Sequence, residues 1–310
     1  MKETMKNKKH YFYNENEFKM KDVKTGKIYK LEVSIDTHPE NPREWSNVST
    51  MVCWHNYYAL GDDHDYSDAD DFLARLCVSL LHKSWDETDN YSLEEMLEML
   101  NTSNKILIKP LNLYDHSRIS ISTSNAYPYN DSWDAGCVGF VYITKKEAFK
   151  ELCEYVLDEN GEKIKEEHKH PNGISTWSHK TQPLTDTTWG KRAEEVIENE
   201  VKIYDQYLRD EVYQYELTEL IPVYGCIECE EEVDVLELLN EKQISFDSKI
   251  HYYCPHCGAD LGNEDKEELN VVILEELEGE SECCYGFYED NLEDSGILDN
   301  ISSDLEIIED

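Results

Sequence analysis

Apolar residues recur along this chain at two distinct spacings, and each spacing predicts a different element. Over 28–36, Ile28, Leu31, Val33 and Ile35 fall mostly on alternate positions, the mark of a strand with one buried face. Residues 51–54 form a short continuous apolar run, which reads as a buried strand. The spacing changes to three and four over 68–82. There Phe72, Leu73, Leu76, Cys77, Leu80 and Leu81 line one helical face behind Asp68 as a cap. Ser92 with Glu95, and Thr144 with Glu147, make capping boxes that open two more helices, the second carried by the pattern to about Leu157. Residues 105–113 and 117–122 read as strands paired across Tyr114-Asp115-His116, and 138–143 as a further strand. The polar stretch 158–187 reads as a loop insertion or a hinge. Residues 190–209 predict the longest helix, with Ala193, Val196, Ile197, Val201, Tyr204 and Leu208 in one stripe. Strands follow at 212–217 and 269–274. Helices and strands mix without regular alternation, so the fold class is α+β, a mixed sheet with flanking helices.

Charge changes this picture most. Sixty-eight Asp and Glu face 29 Lys and Arg, a formal net charge of −39 on 310 residues. The imbalance is uneven. Residues 1–50 carry ten basic and eight acidic side chains, whereas 226–310 carry three basic and 27 acidic. Such a surface repels phosphate backbones and anionic lipids and attracts basic ones, including the surfaces with which proteins grip DNA. Direct nucleic-acid binding and membrane binding are therefore excluded as expectations. No apolar run approaches the roughly 18 residues of a membrane span, and the charged start carries no secretory apolar core, so a cytoplasmic location is expected. Ten cysteines in a reducing compartment then point to metal ligation or buried thiols.

The metal signal is specific. Cys226-Ile227-Glu228-Cys229 and Cys254-Pro255-His256-Cys257 are two C-x-x-C pairs separated by 24 residues. A two-residue spacer lets both thiolates of one tight turn face one ion, and zinc takes four thiolates in a tetrahedron. Four protein ligands leave no open position, so the expected zinc is structural. His251 and His256 lie close enough in sequence to be rival ligands. Glu230, Glu231, Glu232 and Asp234 surround the site and argue against the nucleic-acid role of many zinc ribbons. Cys283 and Cys284, outside this spacing, read as packed thiols, as does Cys137.

Other clusters carry weaker chemistry. Asp62, Asp63 and His64, followed by Asp65, Asp68, Asp70 and Asp71, could hold a hydrolytic metal, with His116 as a second histidine. A solvated acidic loop leading into a capped helix explains the same residues. Asp115, His116 and Ser117 are adjacent and cannot converge as a triad from a strand. Asn41-Pro42-Arg43-Glu44-Trp45 joins a rigid turn to a large ring, either pinned to the core or offered to a partner.

Several of these blocks also carry a resemblance. Asn41–Trp45, Met51-Val52-Cys53-Trp54-His55 and Leu60-Gly61-Asp62 belong to it. So do Tyr114-Asp115-His116-Ser117, Trp133-Asp134-Ala135-Gly136, Val138-Gly139-Phe140-Val141-Tyr142, 200–207 and Cys284-Tyr285-Gly286-Phe287-Tyr288. Together they resemble a family of acidic proteins carried by bacteriophages and mobile elements of Gram-positive bacteria. Arg118 departs from the glycine expected after Ser117, and the ribbon looks like an added piece. The resemblance carries over no catalytic residue. In size and source the chain is similar to phage inhibitors of host defence, such as those that coat the Gabija nuclease–helicase.

The sequence thus predicts a polar N-terminal arm over 1–30, an α+β core over 31–221, a zinc-ribbon insert over 222–262 and an acidic segment over 263–310 that completes the core. The expected function is a phage-borne, non-enzymatic inhibitor. Its acidic surface would bind a host anti-phage defence protein with a basic surface and block DNA engagement. Trp45, Glu230, Glu231, Glu232 and Asp234 are the expected contacts. The alternatives are a metal-dependent hydrolase or nucleotide-processing enzyme using Asp62, Asp63, His64 and His116, and a structural or accessory phage protein. Homo-oligomerisation is left open.

Overall fold

The structure, a computed structural model, describes residues 9–116, 118–123, 135–169, 175–235, 243–244, 250–263 and 270–308. The first strands are β1 (Glu17–Asp22), β2 (Ile28–Ile35) and β3 (Thr50–Cys53), with a 3-10 turn at Pro42–Glu44. Three helices follow, α1 (Ala69–Leu81), α2 (Trp85–Thr88) and α3 (Leu93–Thr102). Next come β4 (Ile106–His116), β5 (Arg118–Ser122), β6 (Ala135–Thr144), α4 (Lys145–Glu151) and β7 (Cys153–Tyr155). The strands β8 (Lys165–Lys169), β9 (Ser175–His179) and β10 (Thr181–Pro183) precede α5 (Trp189–Leu208). The chain continues through β11 (Tyr213–Cys226), β12 (Gln243–Ile244), β13 (Ile250–Tyr253), β14 (Asp260–Asn263) and β15 (Val271–Phe287). It ends with α6 (Ile297–Asn300) and β16 (Leu305–Ile307). The α+β class is the one the spacing predicts.

These elements form two compact units, one from 38–211 and one from the residues up to Thr37 together with those from Val212 onward. In the 38–211 unit a four-stranded antiparallel sheet, ordered β3-β6-β4-β5, has helices on both faces. Met51, Leu111, Val141 and Ile143 face α5, whose buried stripe includes Trp189, Ala193, Ile197, Val201 and Tyr204. Val52, Ile106, Ile108 and Phe140 face α1 and α3, meeting Phe72, Leu73, Leu76, Met96 and Leu100. Burial on both faces is why these strands read as continuous apolar runs. The caps fall where the residues place them. Asp68 accepts from the Asp71 N–H, and Ser92/Glu95 and Thr144/Glu147 form reciprocal boxes.

At the centre of this sheet the strands approach too closely for a side chain. Gly139 pairs with Cys53, and a Cβ at Gly139 would come within 2.0 Å of the Val52 carbonyl oxygen. Gly139→Ala is expected to destabilise the 38–211 unit by about 3 kcal/mol, because β3 and β6 must separate to admit the methyl group. Urea unfolding followed by tryptophan fluorescence measures this, and an unchanged midpoint would remove the claim.

In the other unit a five-stranded antiparallel sheet is ordered β15-β11-β2-β1-β16. Its buried face gathers Phe18, Met20, Leu31, Val33, Tyr215 and Leu217 under Phe12, Leu292, Ile297 and Ile301. Its polar face carries a ladder of ion pairs. Lys19 of β1 donates to Glu276 at 2.6 Å and Lys30 of β2 to Glu278 at 2.5 Å, so lysines on one side of β11 pair with glutamates on the other. A small three-stranded sheet, β12-β13-β14, belongs to the same unit.

The structure corrects several expectations. Phe18 and Met20 are buried in β1, so the N-terminal stretch supplies a central strand pair and is not merely a polar arm. Phe18 and Met20 alternate there with Lys19 and Lys21, the pattern of a strand with one buried face. Tyr114, Asp115 and His116 are not the expected turn but continue β4, paired with Ser120, Ile119 and Arg118. Helix α4 stops at Glu151, well before Leu157, and β7 follows it. The stretch 158–187 contains hairpin strands, hidden in sequence because β9 and β10 are exposed throughout and carry no apolar face. Strands β11 and β15 run far beyond the six residues expected of each.

Candidate metal centre and acidic surface

Both cysteine pairs sit on the same local turn. After Cys226 the chain closes with the Glu230 N–H donating to the Cys226 carbonyl at 2.8 Å, and after Cys254 the Gly258 N–H donates to the Cys254 carbonyl at 2.9 Å. Glu230 and Gly258 both adopt left-handed backbone, with φ of 57° and 78°. Within each turn a backbone N–H points at the first sulfur. Glu228 N–H donates to Cys226 Sγ and His256 N–H to Cys254 Sγ, both at 3.4 Å. Two equivalent turns therefore present four sulfurs to one point.

The spacing of those sulfurs is diagnostic. Cys226 Sγ lies 3.7 Å from Cys257 Sγ and Cys229 Sγ lies 3.7 Å from Cys254 Sγ, with all four ligand atoms within 4.8 Å of one another. A disulfide would need about 2.05 Å. A tetrahedron with metal–sulfur bonds of about 2.3 Å has edges of about 3.8 Å, which these distances match. The donor set fits a thiophilic ion such as zinc. The rival histidines are engaged elsewhere: His256 Nε2 meets the Glu232 carbonyl at 3.0 Å, and His251 Nδ1 lies 3.3 Å from Asp260. Among the described residues this is the one His/Cys/Asp/Glu cluster with metal-binding geometry.

The thiols also feel one another. Burial opposes ionisation of Cys254, yet the N–H groups of Cys257 and His256 and the adjoining thiols hold it down at about 6. Cys229 receives a helpful N–H from Glu231, but desolvation and the other three thiols push it up to about 12. Four crowded thiols cannot all become thiolates without a cation to offset the repulsion. The buried support is slight: Val233 and Leu261, with Cys226 and Cys254, are its fully buried members.

The residues around the centre lie open to water. Glu228, Glu230, Glu231, Glu232 and Asp234 are all exposed, and so is Ile227. In the same unit β15 carries exposed Glu275, Glu276, Glu278, Glu280 and Glu282. Cys283 is exposed rather than packed, because neighbours in a strand point to opposite faces, and only Cys284 turns partly into the core. Trp45, in the other unit, is 41% exposed. Cys137 is likewise exposed, with its thiol 3.4 Å from the Gly139 carbonyl.

In the Asp/His loop, Asp62 belongs to an ion cluster around one arginine. Arg43, with only 3% of its side chain exposed, donates to both Asp62 oxygens at 2.8 Å and to the Ser49 carbonyl at 2.8 Å. Its remaining nitrogen reaches Glu200 at 3.4 Å. Asp62 also accepts from the Met51 N–H at 2.8 Å, and Glu200 accepts from the N–H groups of Val48 and Ser49 and from the Ser49 hydroxyl. The Tyr204 hydroxyl accepts from Gly61 N–H at 3.0 Å. Asp62 and Glu200 are thus consumed in holding the 41–62 loop to α5. His64 Nε2 lies 2.9 Å from the Cys53 carbonyl with its ring edge-on to Trp54, while Asp63 is exposed. The His116 side chain lies outside the described residues.

This ion cluster is a feature that the sequence did not disclose. Its members come from three of the blocks that carry the phage-type resemblance, 41–45, 60–62 and 200–207. Their meeting depends on the packing of α5, which no local pattern encodes. Trp133 and Asp134 of another block lie outside the described residues. No described helix is long and apolar enough to cross a membrane. Comparison of the chain with protein-family models, curated proteins and solved structures finds no match.

Proposed function

We propose that this chain is a non-catalytic binding protein whose exposed carboxylates dock on a cationic surface of a partner protein, with zinc bracing the two cysteine turns as scaffold. One contrast carries the reading. The carboxylate best placed for chemistry, Asp62, is locked by buried Arg43, while the carboxylates of 228–234 and 275–282 stand in water beside exposed apolar residues. Buried acids that grip one guanidinium serve the fold; exposed acids in excess of the cations around them serve long-range attraction. A four-thiolate zinc site is closed, so it supplies rigidity and no open coordination position for hydrolysis.

The phage-type sequence blocks direct the partner to a host anti-phage defence protein that grips DNA. Such a partner presents the cationic groove that this surface complements, and occupying it would exclude DNA by competition for the same charge.

The Gabija nuclease–helicase is the partner to test. At about 50 mM salt the protein is expected to form a complex with it and suppress its cleavage of DNA, with inhibition falling steeply by about 200 mM as the charges are screened. Undiminished cleavage and no complex at the lower salt would overturn this assignment.

A further inference from the structure

Strand β15 is 17 residues long and lies at the edge of its sheet. Strand β11 pairs with one side of it along its whole length, from Tyr213↔Phe287 to Cys226↔Val271. Among the described residues no strand pairs with the other side. The outer edge therefore offers a row of backbone N–H and C=O groups to an added strand. Beyond Leu220, β11 leaves β2 and continues with β15 as a two-stranded arm.

Two further features separate this edge from one that is merely protected. Proteins guard exposed edges with charge, and Glu275, Glu276, Glu278, Glu280 and Glu282 would serve that end. A guarded edge has no use for exposed apolar side chains, yet Ile273, Leu277 and Tyr285 are 56%, 50% and 68% exposed. Leu277 stands directly opposite Ile221, itself 47% exposed, so the two make one apolar spot on one face of the arm.

The charge decides the occupant. A second copy of β15 would set Glu275, Glu280 and Glu282, which lie outside the Lys19 and Lys30 pairs, against their own like, and cross-strand pairing disfavours this. A strand alternating lysine with apolar residues fits instead. The sheet already displays this chemistry, since the lysines of β1 and β2 reach Glu276 and Glu278 from the other side.

We propose that β15 receives an extended segment of a partner protein, alternating basic and apolar residues, as an added strand. This rests on the reading of the chain as a binder of cationic partners and names how one segment is held. Backbone hydrogen bonds supply the register, the glutamates outside the Lys19 and Lys30 pairs, Glu275, Glu280 and Glu282, attract its lysines, and Leu277 with Ile221 takes its apolar side chains.

The test uses the full chain and a peptide of roughly ten residues alternating Lys and Val, long enough to span about 33 Å of strand. Its twin is N-methylated at alternate backbone nitrogens. The first peptide is expected to bind and to slow amide exchange over 275–285, the twin to bind at least about tenfold more weakly, and the E275K/E280K/E282K variant to lose about tenfold. Equal, salt-sensitive binding of both peptides would overturn strand addition while leaving the cationic-partner reading standing. Failure of both to bind at low salt would overturn the two together. Concentration-dependent protection of 275–285 without peptide would assign the edge to a second copy and also overturn the proposal.

Discussion

Chelating the metal from the full chain is expected to melt the two cysteine turns while leaving the 38–211 unit folded. The apolar support of the centre is Val233 and Leu261, worth about 2–3 kcal/mol each when buried. A structural zinc contributes about 10 kcal/mol or more in small sites, so the metal term dominates there. Zinc content near one per chain is expected, falling towards zero in Cys226→Ser or Cys254→Ser. Hydrogen exchange should then accelerate at 224–233 and 252–262 and stay unchanged along α5 and β6. Retained protection in the serine variants would show that the turns hold themselves and that zinc is no scaffold. A chelated chain that still formed the proposed complex would separate the ribbon from the proposed binding surface.

Arg43→Met is expected to lower stability by about 3 kcal/mol, near the lower end for a buried ion pair broken on one side. The lower end applies because Asp62 and Glu200 keep 23% and 15% of their side chains in water and retain backbone donors. For a unit of this size the melting temperature should fall by roughly 6–12 °C. Arg43→Lys should recover little, because one ammonium cannot reproduce the fork that grips both Asp62 oxygens and the Ser49 carbonyl. A melting temperature within a degree or so of wild type would mean that Asp62 is free for other work. That result would revive the hydrolase reading of Asp62, Asp63 and His64.

The two predictions divide along what a sequence can express. Cys226, Cys229, Cys254 and Cys257 announced themselves because a two-residue spacer has a local meaning: it sets the geometry of one turn. The caps at Asp68, Ser92 and Thr144 were legible for the same reason, since donor and acceptor lie three residues apart. Helix α5 showed its stripe because one face alone is buried. The β8–β9 pair and strand β10 within 158–187 left no such mark, because the exposed strands β9 and β10 carry no apolar face to read.

By itself, then, the sequence determined the α+β class, the thiol centre and the excess of carboxylates, all of which are local or additive properties. Only the tertiary structure decided which carboxylates are spent and which are left over. Asp62 and Glu200 lie 138 positions apart in the chain and meet on one guanidinium because α5 packs beside the 41–62 loop. Strand β15 stands at the sheet edge because β11 pairs with one side of it and, among the described residues, no strand pairs with the other. Pairing is a long-range outcome of packing, and it sorts chemically identical side chains into those that hold the fold and those that stand in water.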